Sequence, residues 1–242
     1  MLITGKNAVY EALRSDATVE KLYVQRGETT GVVKNIIALA KEKKIVVSVV
    51  DKTALDRITQ NAKHQGVALT QTEFVYSSLD DILSFAKSKD EPPFIVILDE
   101  LSDPHNLGAV IRTAECAGAH GVVIPKRRSA GLTAIVAKTS AGAVSHIPVA
   151  RVPNLTALMK ELQKRGVWIF GAEMNGNTSL YEADLKGPAA IVIGSEGSGM
   201  SRLVAETCDF TVSIPMKGKI NSLNASAAAA ILLYEAVRQR LS

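Results

Sequence analysis

The chain has 242 residues, 47% of them hydrophobic, and a formal net charge of +4, which allows one large domain or two small ones and permits a polyanionic partner without demanding one. No apolar run reaches the ~20 residues needed to cross a bilayer, and the start lacks the apolar core of a secretion signal, so the expected location is cytoplasmic. Two distant cysteines, Cys116 and Cys208, indicate neither a disulfide framework nor a zinc site and are expected as small buried filler.

Residues 1–76 read as a small α/β unit. Gly5-Lys6-Asn7 opens a short helix ending near Arg14, and Val19 to Val24 follows as a strand. Thr30 to Lys44 is an amphipathic helix with Val33, Ile36, Ile37 and Ala40 on one face, and Ile45 to Val50 is the next strand. Asp51 is placed to cap a helix holding Leu55 and Ile58, after which a turn at Asn61 to Gly66 leads into a strand from Val67 to Thr70. His64, in that turn, is expected to make a polar contact rather than to catalyse. Leu79, Ile82, Leu83 and Phe85 then suit a short helix, and the polar run Ser88 to Pro93 marks a boundary, so 77–92 is expected as a linker.

From residue 93 the pattern is that of a parallel α/β sheet. Phe94 to Leu98 is an unbroken apolar strand of the kind covered on both faces. A polar loop from Asp99 to Gly108 should precede a helix through Ala109 and Cys116 that stops near Gly118. Val122 to Pro125 is the next strand, and Lys126, Arg127 and Arg128 follow it on the ligand side of such a sheet. Helical pieces at Ser129 to Lys138 and Ser140 to Val144, a strand at Ile147 to Val152, a helix from Leu155 to Lys164 capped by Asn154, and a strand at Val167 to Ala172 come next. Ala190 to Ile193 enters the glycine turn Gly194 to Gly199, and Phe210 to Pro215 leads to Asn221-Ser222-Leu223-Asn224-Ala225-Ser226 and an alanine-rich helix.

The turns do not fit the better-known nucleotide motifs. Gly197-Ser198-Gly199 lacks the third glycine of a dinucleotide fingerprint, Gly218-Lys219 is followed by Ile220 rather than by the Ser or Thr of a P-loop, and no GxSxG elbow occurs. The four histidines show no metal-ligand pairing, so no metal is expected. Three strand-end segments remain that could converge: 106–112, 194–199 and 215–226. They offer backbone amides, small residues and polar side chains suited to an adenosine-type ligand.

These segments carry a resemblance. Asp103-Pro104-His105-Asn106-Leu107-Gly108 with Arg112, Ile193-Gly194-Ser195-Glu196-Gly197 with Gly199, and Ile214-Pro215-Met216 with Ser222-Leu223-Asn224-Ala225-Ser226 resemble the three ordered motifs of the SpoU (TrmH) family of RNA 2′-O-ribose methyltransferases. Gly5-Lys6-Asn7-Ala8-Val9 and His64-Gln65-Gly66-Val67-Ala68 resemble that family's ribosomal-protein-L30-like substrate-binding domain. The resemblance implies an α/β-knot catalytic domain over 93–242, a trefoil knot that composition would not reveal, and a homodimer whose sites are completed by the partner. It also implies S-adenosylmethionine as cofactor, with Gly194, Ile214, Met216 and Leu223 about it, and Asn106, Arg112, Glu196, Ser222 and Asn224 as the polar active-site set. The pattern is most like that of bacterial members acting on a guanosine in the peptidyl-transferase P loop of 23S ribosomal RNA. Transfer RNA methylation and a catalytically silent RNA-binding protein are the alternatives.

Arg112 is expected in the active site, binding phosphate and stabilising developing alkoxide charge, because a guanidinium is a poor general base. Glu196 is expected chiefly to brace the Asn106 loop. Arg112, Lys126, Arg127 and Arg128 are candidate RNA contacts.

Overall fold

The computed structural model describes residues 1–14, 18–28, 30–72, 74–220 and 222–241. They form two compact units, Met1–Val75 and Tyr76–Ser242. In the first unit the elements are β1 (Leu2–Thr4), α1 (Lys6–Arg14), β2 (Thr18–Gln25), α2 (Gly31–Glu42), β3 (Val46–Val50), α3 (Lys52–Ile58) and β4 (Val67–Thr72). Its sheet runs in the order β1-β4-β2-β3, with β4 antiparallel to both neighbours and β2 parallel to β3. Val33, Ile36 and Ala40 of α2 bury their common face against Val9, Leu13, Leu22 and Leu69. The three-residue strand β1 lies outside the sequence expectation, since so short a segment shows no alternation to read.

The second unit contains α4 (Leu79–Ser88), β5 (Phe94–Leu98), α5 (Pro104–Cys116), β6 (Gly121–Pro125), α6 (Ala134–Thr139), β7 (Val149–Val152), α7 (Leu155–Lys164), β8 (Trp168–Ala172), β9 (Thr178–Ser179), β10 (Ala189–Ile193), α8 (Arg202–Thr207), β11 (Phe210–Ser213) and α9 (Ala225–Arg240). Its seven strands are all parallel, in the order β7-β6-β5-β10-β8-β11-β9. β5 and β10 lie side by side at the centre with every residue buried, which is why both read as unbroken apolar runs. From β5 the chain moves outward through β6 and β7, and from β10 it passes over β8 to β11. The carboxyl ends of β5 and β10 therefore flank the switch point where open α/β sheets place their ligands.

Side chains of α4, α7 and α8 share a core with the sheet, while α9 packs on α5. The stretch 77–92 is part of the second unit rather than the expected linker between the two, and it carries α4, the short helix expected over Leu79 to Phe85. Ser78 and Asp81 form a reciprocal capping box at its start, and Ile82 and Ala86 are buried. Ile82 leaves so little room that a Cβ on Gly121 would lie 2.5 Å from it. At the far end of α9, Arg240 donates to the carbonyls of Pro92 at 3.1 Å and Gly187 at 2.6 Å, and covers the Phe94 ring at 4.6 Å.

Three expectations need correction. Helix α5 begins at Pro104 rather than at Ala109, because the Asp103 carboxylate accepts from the His105 and Asn106 amides and proline is pre-set for the first helical position. Gly108 is thus inside the helix, where a Cβ would stand 1.9 Å from the Thr139 hydroxyl; it permits the close contact of α5 with α6. Residues 129–133 are not helical: Ala130 N donates to Leu101 O at 2.9 Å, and α6 starts only after Thr133. Cys116 is exposed rather than buried filler. Cys208 is partly buried, and that burial pushes its thiol up to about 12, which keeps it protonated.

Candidate active site

The three segments meet at the carboxyl ends of the central strands. Residues 194–199 form a tight loop closed by paired backbone bonds, Ser195 N to Gly199 O and Gly199 N to Ser195 O, both 3.0 Å. Gly194 faces the return of this loop so closely that a Cβ would lie 2.1 Å from the Gly199 carbonyl carbon. No other residue fits there without moving the backbone. Beneath it, the buried Asp99 carboxylate at the end of β5 accepts from Ser201 N at 2.7 Å, tying β5 to the entry of α8.

Glu196 is the hub of the polar cluster. Its Oε1 accepts from Asn106 Nδ2 at 3.1 Å, from Asn224 Nδ2 and from Ala225 N at 3.3 Å. Asn224 Nδ2 also donates to Asn106 Oδ1 at 3.0 Å. Asn224 Oδ1 caps α9, accepting from the amides of Ser226 at 3.0 Å and Ala227 at 3.3 Å. Two fixed amides and one carboxylate therefore hold the starts of α5 and α9 to the glycine loop. Glu196 Oε2 takes no hydrogen bond among the described residues.

Beside this cluster lies a cleft of about 490 Å³. Gly194, Glu196, Ile214, Met216, Ser222 and Leu223 all line it, so one cavity gathers the four expected cofactor contacts and two of the expected polar residues. Its walls combine the aliphatic side chains of Ile193, Ile214 and Leu223 with the backbone of the glycine loop. That combination fits an adenosine-type ligand, whose flat base needs apolar walls and whose edges need backbone amides and carbonyls. Glu173, Met174 and Asn175, on the loop after β8, also line the cleft. They are absent from the sequence expectation, although a carboxylate and an amide directly after a parallel strand are a readable signal. Asp99, directly after the apolar β5, is likewise not among the expected site residues. Asn221 of the third motif falls outside the described residues.

Not every expected residue joins this group. Arg112 is exposed on α5 and makes no hydrogen bond to the cluster among the described residues. Six positions separate it from Asn106, so the two side chains leave the helix on faces roughly 120° apart. Lys126, Arg127 and Arg128 follow β6, which β5 separates from β10. Arg128 pairs with Glu100 at 2.8 Å, and that hydrogen bond raises its guanidinium above the ordinary arginine range. His64 in the first unit bridges Asp56 Oδ1 at 2.8 Å and the Gly66 amide at 3.0 Å, a turn-fixing role. Among the described residues no cluster of three or more His, Cys, Asp or Glu is placed to hold a metal, and no helix is long and apolar enough to cross a membrane.

Comparison with known proteins places the chain. Residues 93–234 match the SpoU rRNA Methylase family, and residues 2–77 match the substrate-binding region of RNA 2′-O ribose methyltransferases. A TrmH family tRNA/rRNA methyltransferase of Bacillus subtilis, YacO, is 48% identical over 238 residues, covering 98% of this chain and 95% of that protein. Among solved structures, the SpoU methyltransferase AviRb of Streptomyces viridochromogenes in complex with AdoMet superposes with a TM-score of 0.64 at 27% identity, over 100% of this chain and 90% of that one. An AdoMet-bound rRNA methyltransferase of Sinorhizobium meliloti gives a TM-score of 0.62 at 27% identity, over 100% and 88%. With both units matched and relatives aligned along nearly its whole length, the chain belongs to the SpoU/TrmH family of RNA methyltransferases.

Proposed function

We propose that the protein is an S-adenosylmethionine-dependent ribose 2′-O-methyltransferase acting on a guanosine in the peptidyl-transferase P loop of 23S ribosomal RNA. The observation that carries this reading is the coincidence of the cleft with the Asn106–Glu196–Asn224 cluster at one end of the sheet. The ribosomal assignment draws support from the amino-terminal unit and from the Sinorhizobium meliloti protein, described as an rRNA methyltransferase, which matches across both units. The tRNA/rRNA name of the Bacillus subtilis relative keeps transfer RNA as the rival substrate.

When bound, S-adenosylmethionine supplies a methyl group already activated for transfer, so the protein's task is alignment and charge control. Gly194, Ile214, Met216 and Leu223 would hold it in the cleft. Asn106 and Asn224 fix one oxygen of Glu196, and Ser222 at the cleft rim is a hydroxyl able to bind the ribose. Arg112 binds the neighbouring phosphate and stabilises negative charge growing on the 2′-oxygen as the hydroxyl proton passes to that phosphate or to solvent. Because Arg112 is directed away from its own chain's cluster, we assign it to the cleft of a partner in a homodimer formed by the second unit. A trefoil knot is the expected path of the segment that brings residues 214–224 back to the glycine loop. Lys126, Arg127 and Arg128 are assigned to RNA phosphates, and the expected compartment is the cytoplasm.

Incubating the protein with methyl-labelled S-adenosylmethionine and separated ribosomal and transfer RNAs, then mapping the methylated ribose, tests this. Label on a 23S guanosine ribose is expected. Label on transfer RNA alone would replace the substrate, and no label on any RNA would leave the silent RNA-binding reading.

A further inference from the structure

At the opposite end of the parallel sheet, the first residues of β8 and β11 and the turn before β10 surround a second cleft, of about 330 Å³. Phe210 stands beside Phe170 in the β11–β8 register, and Trp168 is two residues before Phe170, so all three side chains leave the same face of the sheet. The Phe170 and Phe210 rings stack at 5.1 Å, and Trp168 lies 5.7 Å from Phe210, tilted by 51°. Two of the three rings are open to solvent, Trp168 at 55% exposure and Phe210 at 44%, while Phe170 is buried. The cleft is also lined by two carboxylates, Glu182 and Asp184, and by no Lys or Arg. Asp184 Oδ1 accepts only the local amide of Lys186 at 3.1 Å, and Glu182 has no hydrogen bond or ion pair among the described residues.

The only charged side chains that line this cleft are acidic, although the protein's net charge is +4 and Arg240 reaches the Gly187 carbonyl at its edge. Nucleic-acid phosphate would be repelled by the two carboxylates, whereas a cation with a flat face gains on both counts. It can lie over a ring and donate to a carboxylate at its edge. A guanidinium is the side chain with that shape, planar, weakly hydrated and able to present two parallel N–H donors. Free arginine suits the cleft less well, since its own carboxylate would approach Glu182 and Asp184. An arginine within a peptide carries no such charge. We propose that this cleft receives an arginine side chain from a basic segment of a partner protein, at a surface separate from the candidate active site.

Trp168 is the only tryptophan in the chain, so tryptophan fluorescence, excited at the red edge where the five tyrosines do not absorb, reports on this cleft. The test titrates the full chain with a short end-blocked peptide containing two arginines, and with the same peptide carrying citrulline in their place. A saturable fluorescence change is expected with the arginine peptide, with affinity at least about tenfold weaker for the citrulline peptide. The double variant Glu182→Gln/Asp184→Asn should weaken arginine-peptide binding by a similar factor, while melting temperature and methyl transfer stay at wild-type values. Equal responses to both peptides, or undiminished affinity in a folded double variant, would overturn the proposal. It also fails if free arginine binds as well as the peptide, if an RNA oligonucleotide gives the saturable change instead, or if the fluorescence shifts with protein concentration alone, which would identify a second copy as the occupant.

Discussion

Asn224 serves two structures with one side chain. Its oxygen caps α9 and its nitrogen reaches Asn106 and Glu196, so the start of the last helix and the polar cluster are a single construction. Arg112 stands outside it, and its variant isolates chemistry from architecture. Arg112→Ala should lower methyl transfer by about 10²–10³-fold, the range for removing one charge-stabilising donor. Calorimetric titration of S-adenosylmethionine should give the wild-type affinity, and wild-type turnover would remove Arg112 from the mechanism. At this scale the sequence was only partly legible. Asn106 and Glu196 are 90 positions apart, and no periodicity or spacing rule brings two such residues together. Their motifs could be matched to a family, but the sharing of one carboxylate oxygen by three donors is a tertiary fact. Arg112 shows the converse: the motif names the residue without saying which cleft it faces.

Elements were legible where the core dictated them. Phe94 to Leu98 and Ala189 to Ile193 are buried on both faces, and a buried strand has to be written as an apolar run. The start of α5 was not, since Asp-Pro and Gly are turn residues on propensity alone, and here a cap and a helix contact override that preference. The amino end of β5 holds a titratable brace that can be tested. The buried His120 accepts from Phe94 N at 3.0 Å through Nδ1, which leaves Nε2 to donate to Glu91 at 3.1 Å. Burial lowers its pKa from the usual 6.5, more than Glu91 raises it. The neutral form is the native one, so its stabilisation is complete above the unfolded value and is lost as pH falls from there toward the depressed folded value. Melting temperatures measured from about pH 8 to about pH 5 should decline through this window in the wild type. His120→Gln, which does not titrate, should start lower and remove that component of the decline.

For the whole molecule, the proposed homodimer raises the question of which chain's Arg112 serves which cleft. If each site takes the arginine of its partner, two inactive variants should restore one another. Gly194→Val should block the proposed cofactor cleft, since a Cβ there already meets the Gly199 backbone, while Arg112→Ala should leave that cleft intact. Unfolded and refolded together, or co-expressed, they should recover about a quarter of wild-type methyl transfer, because half the dimers are mixed and each mixed dimer has one intact site. Arginine acting within its own chain predicts no recovery, provided size-exclusion chromatography shows that mixed dimers have formed. The order of the strands has a further consequence, for synthesis rather than for chemistry. β10 lies between β5 and β8, yet leaves the ribosome after both. Until residues 189–193 arrive, β5 and β8 both lack their shared central neighbour, so an apolar edge of each is left unpaired in the growing chain. Such edges are exposed hydrophobic surface, and the emerging chain is most prone to misassociation in that interval.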